Sequence, residues 1–61
     1  MERYRNNKSG ETYVLLYSDV MDATNYISLK GMYVVYRRED NPNIIWIREQ
    51  VEFCKKFTKI D

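Results

Sequence analysis

The sequence predicts a mainly β fold in a single domain spanning residues 1–61. The first observation behind this is a pair of short apolar runs rich in β-branched and aromatic residues, Met32-Tyr33-Val34-Val35-Tyr36-Arg37 and Ile44-Ile45-Trp46-Ile47-Arg48. They are joined by the polar turn formers Arg38-Glu39-Asp40-Asn41-Pro42-Asn43, which makes a hairpin the natural arrangement. A second observation is that both glycines, Gly10 and Gly31, sit between extended segments, where a turn needs backbone freedom. The third is that strict alternation stops after Arg48, and in 49–55 acids precede lysines, the order that a helix dipole favours.

Taken in order, Tyr4-Arg5 and Tyr13 to Tyr17 flank Asn6-Asn7-Lys8-Ser9-Gly10-Glu11, so 3–6 and 12–17 read as a first hairpin. Ser18 to Thr24 reads as a turn in which Asp19 and Asp22 are solvated or capping acids, and Asn25 to Ser28 as an extended piece. Lys30-Gly31 turns into a strand at 32–37, and Pro42, which cannot donate to a ladder, marks the connection to a strand at 44–48. A helical turn or two within 49–55 is too short to stand without packing, and Phe57 to Ile60 returns as a closing strand. Five short strands with one helical turn near the C-terminus suggest a small, strongly bent antiparallel sheet or an SH3-like, partly open barrel. The rival arrangement is an open antiparallel sheet with the 49–56 helix laid on one face.

Alternation assigns the faces. Tyr33, Val35 and Arg37 point one way, and Met32, Val34 and Tyr36 the other; Ile44, Trp46 and Arg48 oppose Ile45 and Ile47. Neither strand has a clean polar stripe, so some of these large residues must be partly exposed. Trp46 is expected to be a buried anchor, with the Arg48 guanidinium covering the indole or reaching a carboxylate.

At 61 residues the chain lies near the lower size limit of domains that fold alone. Apolar burial contributes about 90 kcal/mol, and ordering the chain costs about the same, so a partner or a second copy would add useful stability. The lone Cys54 cannot form an internal disulfide. No leader pattern and no apolar stretch long enough to span a bilayer are visible, which points to a reducing, cytoplasmic setting without membrane contact. With no histidine and one cysteine, neither a structural zinc site nor any other cofactor is expected.

Catalysis has little to work with. Histidine, the usual base for Ser or Cys nucleophiles, is absent, Asp19 and Asp22 are explained by solvation, and Cys54 beside Phe53 reads as a small hydrophobe. Ten basic against nine acidic residues give no general pull toward nucleic acid, and Lys55, Lys56 and Lys59 are offset by Glu52 and Asp61. By contrast, six tyrosines and one tryptophan exceed what so small a core needs. Tyr33, Tyr36, Arg37, Trp46 and Arg48 are therefore the candidate contact surface. The bland account is that the tyrosine rings close the core and arginine stems cover them.

Tyr4-Arg5, Lys8-Ser9-Gly10 followed by Tyr13-Val14, Val34-Val35-Tyr36, Trp46-Ile47-Arg48, and Phe53 with Lys56-Phe57 occur in an order that resembles a family of short uncharacterised bacterial and phage proteins, a domain of unknown function. The resemblance spans 4–57. It departs at Asn6, where the family pattern carries histidine, at Glu49, where it carries proline, and through 18–31. It implies a compact β-rich domain of phage or bacterial origin and brings no catalytic residue. The expected function is a non-enzymatic accessory protein that binds another protein, a host protein if the chain is phage-encoded. The alternatives are a small-barrel nucleic-acid binder using Tyr and Arg contacts, and a structural homo-oligomer subunit.

Overall fold

A computed structural model describes residues 1–24 and 31–61. The chain runs β1 (Arg3–Asn6), β2 (Thr12–Val20), β3 (Tyr33–Arg38), β4 (Ile45–Glu49), α1 (Gln50–Lys56) and β5 (Phe57–Lys59). All pairings are antiparallel, in the order β4-β3-β2-β1-β5. The sheet is not closed: β4 and β5 are its two edges, so among the described residues it is an open sheet with a helix on one face rather than a closed barrel. The extended segment expected at 25–28, and Lys30 of the expected turn before β3, lie outside the described residues.

One face of the sheet forms the core. Val34 and Tyr36 of β3 pack with Phe53 of α1 and Phe57 of β5, and Tyr4, Tyr13 and Leu15 close in around them. Phe53 lies in α1 and Phe57 just past its end at the start of β5, and their rings stack at 4.3 Å. Tyr4 meets Phe53 edge-on at 5.0 Å, and Tyr13 meets Phe57 at 5.3 Å. A helix this short persists because its aromatic face is buried, since its own hydrogen bonds cannot sustain it. The amide of Phe57 donates to the Phe53 carbonyl, which ends the helix and starts β5 without a loop.

β1 occupies the expected 3–6, but β2 is longer than the expected 12–17. β2 continues through Ser18 and Asp19 to Val20, with register shifts between Leu15 and Tyr17 and between Tyr17 and Val20. These irregularities break the alternation that would have revealed the strand. Asp19 adopts φ 56°, a left-handed conformation. Its amide donates to Gln50 Oε1, and Gln50 Nε2 donates back to Asp19 Oδ1, tying the bulge to the start of α1. Asp19 is therefore a positioned residue of the sheet and not merely a solvated acid. Asp19→Ala should cost about 1 kcal/mol in a urea titration, whereas Asp19→Gly, which suits the backbone, should stay within about 0.5 kcal/mol of the parent. Equal losses in the two variants would contradict the conformational argument.

Trp46 is not a buried anchor: it is 46 % exposed. It lies opposite Tyr36 on edge strand β4, outside the buried core, which is made instead by Val34, Tyr36, Phe53 and Phe57.

Ion pairs fasten the polar rim. Arg3 donates to both carboxylate oxygens of Glu39 and, at 2.8 Å, to Asp61. Arg38 pairs with Asp40 and, at 3.3 Å, with Glu11. Hydrogen bonding from Arg3 holds the Glu39 carboxyl below its usual 4.5. Its folded-state pKa is thus lower than its unfolded value, so the unfolded chain binds more protons between the two. Stability from this pair is full above about pH 4.5 and is lost as pH falls through the folded pKa. The urea midpoint of the parent should drop more steeply below about pH 4.5 than that of Glu39→Gln; parallel curves would contradict the assignment.

Candidate interaction edge

The two edges of the sheet differ in chemistry. β5 is three residues long, and its outward residues, Thr58 and Lys59, are polar. A short, charged edge resists pairing with another chain. β4 is charged only at its end, Arg48-Glu49, and its first three residues are all large and apolar. Ile44, just before the strand, Ile45, Trp46 and Ile47 within it, and Val51 just after are all exposed. Ile47, at 63 %, is the most exposed of them. Among the described residues no strand pairs with β4 on its far side. Its outward backbone groups therefore stand beside a run of large apolar side chains, the arrangement that templates an added strand.

The apolar surface continues across the outer face of the sheet, away from α1. Cα partners on neighbouring strands share a face, so Tyr17, Val35 and Ile47 form one row across β2, β3 and β4. Val20 and Tyr33 line up in the next row, ending at Glu49, and Val14, Arg37 and Ile45 in the row on the other side. Tyr17 is 67 % exposed. Val14 is buried and Val20 and Val35 are partly covered, so the exposed apolar groups of this face are Tyr17, Ile45 and Ile47. Exposed apolar residues gathered on one face mark contact surfaces, whereas scattered ones are ordinary.

The five residues singled out from the sequence divide between the two faces. Tyr33 and Arg37 lie on the open outer face with Ile45 and Ile47; Arg37 Nη1 donates to the Arg38 carbonyl at 3.1 Å. Tyr36 is buried in the core, which removes it from any contact surface. Trp46 and Arg48 share the inner face at the β4 edge. Arg48 neither covers the indole nor reaches a carboxylate: its Nε donates to the Tyr36 hydroxyl at 3.1 Å, and its guanidinium lies 5.8 Å from the centre of the Phe57 ring. Tyr17, Ile45 and Ile47 belong to the surface although they were not among the candidate contact residues read from the sequence. Their signal was the lack of a polar stripe in the two hairpin strands.

The partly buried phenols of Tyr4 and Tyr13 are not poised for chemistry. Burial, reinforced by Glu2, raises Tyr4 above its ordinary 10, and burial with the neighbouring Glu11 charge raises Tyr13. Both remain protonated at neutral pH. Among the described residues no three His, Cys, Asp or Glu side chains converge to hold a metal, and no helix is long and apolar enough to cross a membrane. Comparison with family models, curated proteins and solved structures finds no match to this chain.

Proposed function

We propose that this chain is a non-enzymatic interaction module that binds another protein by offering β4 as the edge to which an extended segment of the partner is added. The observation that carries this reading is the contrast between the protected β5 edge and β4, where Ile45, Trp46 and Ile47 are all exposed beside backbone that no other strand pairs among the described residues. Main-chain hydrogen bonds would supply affinity and the alternating apolar side chains specificity. The apolar row through Tyr17 and Val35 extends the contact beyond one strand. The strand order also supports an SH3-like kinship. A four-strand meander followed by one helical segment returns β5 to β1, as in a small barrel left open between β4 and β5. A host protein is the partner class if the chain is phage-encoded, and the cytoplasm is then the site of action.

The test uses the immobilised chain, as parent and as Ile47→Lys, in a nuclease-treated host lysate at low and physiological salt. Because Ile47 is largely exposed, the substitution should leave folding stability within about 0.5 kcal/mol. A protein retained by the parent and lost from Ile47→Lys supports the reading. Capture that disappears with nuclease, or that is equal for the two chains, contradicts it. A stable oligomer of the pure parent that dissociates in Ile47→Lys by light scattering identifies a second copy as the added strand.

A further inference from the structure

The cations of this near-neutral chain are unevenly distributed. Arg3, Arg38 and Lys59 are paired with acids along the polar rim. Four others gather on a cleft of about 400 Å³ between the β1–β2 turn, the end of β4 and the last turn of α1. Its lining is Asn6, Asn7, Lys8, Arg48, Lys55 and Lys56, with no carboxylate among them. Among the described residues Lys8, Arg48 and Lys56 have no ion pair, and Lys55 has only a 3.8 Å approach to Glu52 on its own helix. Lys55 and Lys56 also suit the carbonyl end of α1. Lys8 and Arg48 come from other elements and have no such reason to be there.

The cleft is held in shape. Asn6 Oδ1 accepts the amides of Lys8 and Ser9, fixing the turn that carries Lys8. The amide of Asn7 donates to the Lys56 carbonyl at 2.9 Å, and its side chain accepts from Thr58, which locks the turn to the helix end and β5. Arg48 is fixed by the Tyr36 hydroxyl through Nε alone, against the Phe57 ring. This leaves its two terminal nitrogens for a ligand. A guanidinium oriented in advance by the core, with lysines around it and no competing acid, is suited to a phosphate oxyanion. Trp46 lies two residues from Arg48 on the same face of β4, and its half-exposed indole can stack with a base.

We propose that this cleft binds the phosphate of a nucleotide unit, with Arg48 and Lys8 contacting the oxyanion, Lys56 supporting them, and Trp46 stacking on the base. Trp46 and Arg48 belong to β4, but Lys8 and Lys56 lie off that edge, so the Lys8→Gln/Lys56→Gln chain tests this cleft independently of protein capture. Trp46 is the sole tryptophan, so its fluorescence reports occupancy directly. Inorganic phosphate, AMP and an oligonucleotide of about ten nucleotides are titrated into the full chain. AMP and the oligonucleotide should quench Trp46 fluorescence saturably, inorganic phosphate should bind more weakly, and affinity should fall between about 50 and about 200 mM salt. Saturation by AMP identifies a mononucleotide site, and saturation by the oligonucleotide alone a single-strand site. Arg48→Gln should weaken binding about ten-fold or more. The exposed pair Lys8→Gln and Lys56→Gln should weaken it several-fold without touching the core, while Lys59→Gln, outside the cleft, should leave it unchanged. No saturable binding of AMP or oligonucleotide, or binding equal in the parent and in the Lys8→Gln/Lys56→Gln chain, would overturn the proposal. Inorganic phosphate binding as tightly as AMP would overturn the stacking role of Trp46.

Discussion

Phe53→Ala is expected to leave the chain largely unfolded at 25 °C. Phe53 is 2 % exposed and touches three other rings: Tyr4 at 5.0 Å, Tyr36 at 5.1 Å and Phe57 at 4.3 Å. It is also the one buried residue of α1, so truncation removes the reason for the helix to pack. Replacing a buried phenylalanine by alanine costs about 3–5 kcal/mol, comparable to the whole stability of a domain this small. Trp46→Ala, at a half-exposed edge position, should cost only about 1 kcal/mol. Urea titrations followed by far-UV circular dichroism separate the two. If Trp46→Ala were the more damaging, the core would have to be centred on β4 rather than on α1 and β5.

Ile47→Lys is expected to raise the dissociation constant of the captured protein by about thirty-fold or more while the chain stays folded. A central apolar contact in an interface commonly contributes 2 kcal/mol or more, and here a charge would additionally have to be desolvated against the added strand. The row through Tyr17 and Val35 predicts a smaller loss for Tyr17→Ala, of about 1 kcal/mol, because it lies at the far end of the contact. Surface plasmon resonance on the purified pair measures both. An affinity indifferent to Ile47→Lys would remove β4 from the interface.

Much of the fold was legible because short-range chemistry determined it. Alternation of Val34, Val35 and Tyr36, and the turn around Pro42, marked the β3–β4 hairpin, and the change of period after Arg48 marked α1. The strand order was less accessible. Pairing of β5 with β1 joins Phe57 to Asn6 across most of the chain, and that contact makes β4 an edge. Without it, Trp46 reads as core by residue type alone, which explains its misplacement. The extension of β2 to Val20 was hidden because its register shifts, with Asp19 in a left-handed conformation, interrupt the period-two signal. Of the cleft, only Lys55-Lys56 was visible as a local cluster. Lys8 and Arg48 are 40 positions apart and meet only when the turn, β4 and the helix end are assembled.

The most direct measurement of the interaction edge is amide hydrogen exchange across 44–49, in the free chain and with the captured protein bound. Amides of β4 that do not bond to β3 should exchange fast in the free chain and become strongly protected in the complex, with little change in β5. Protection of β5 instead, or none along β4, would contradict a docking edge at Ile45–Glu49.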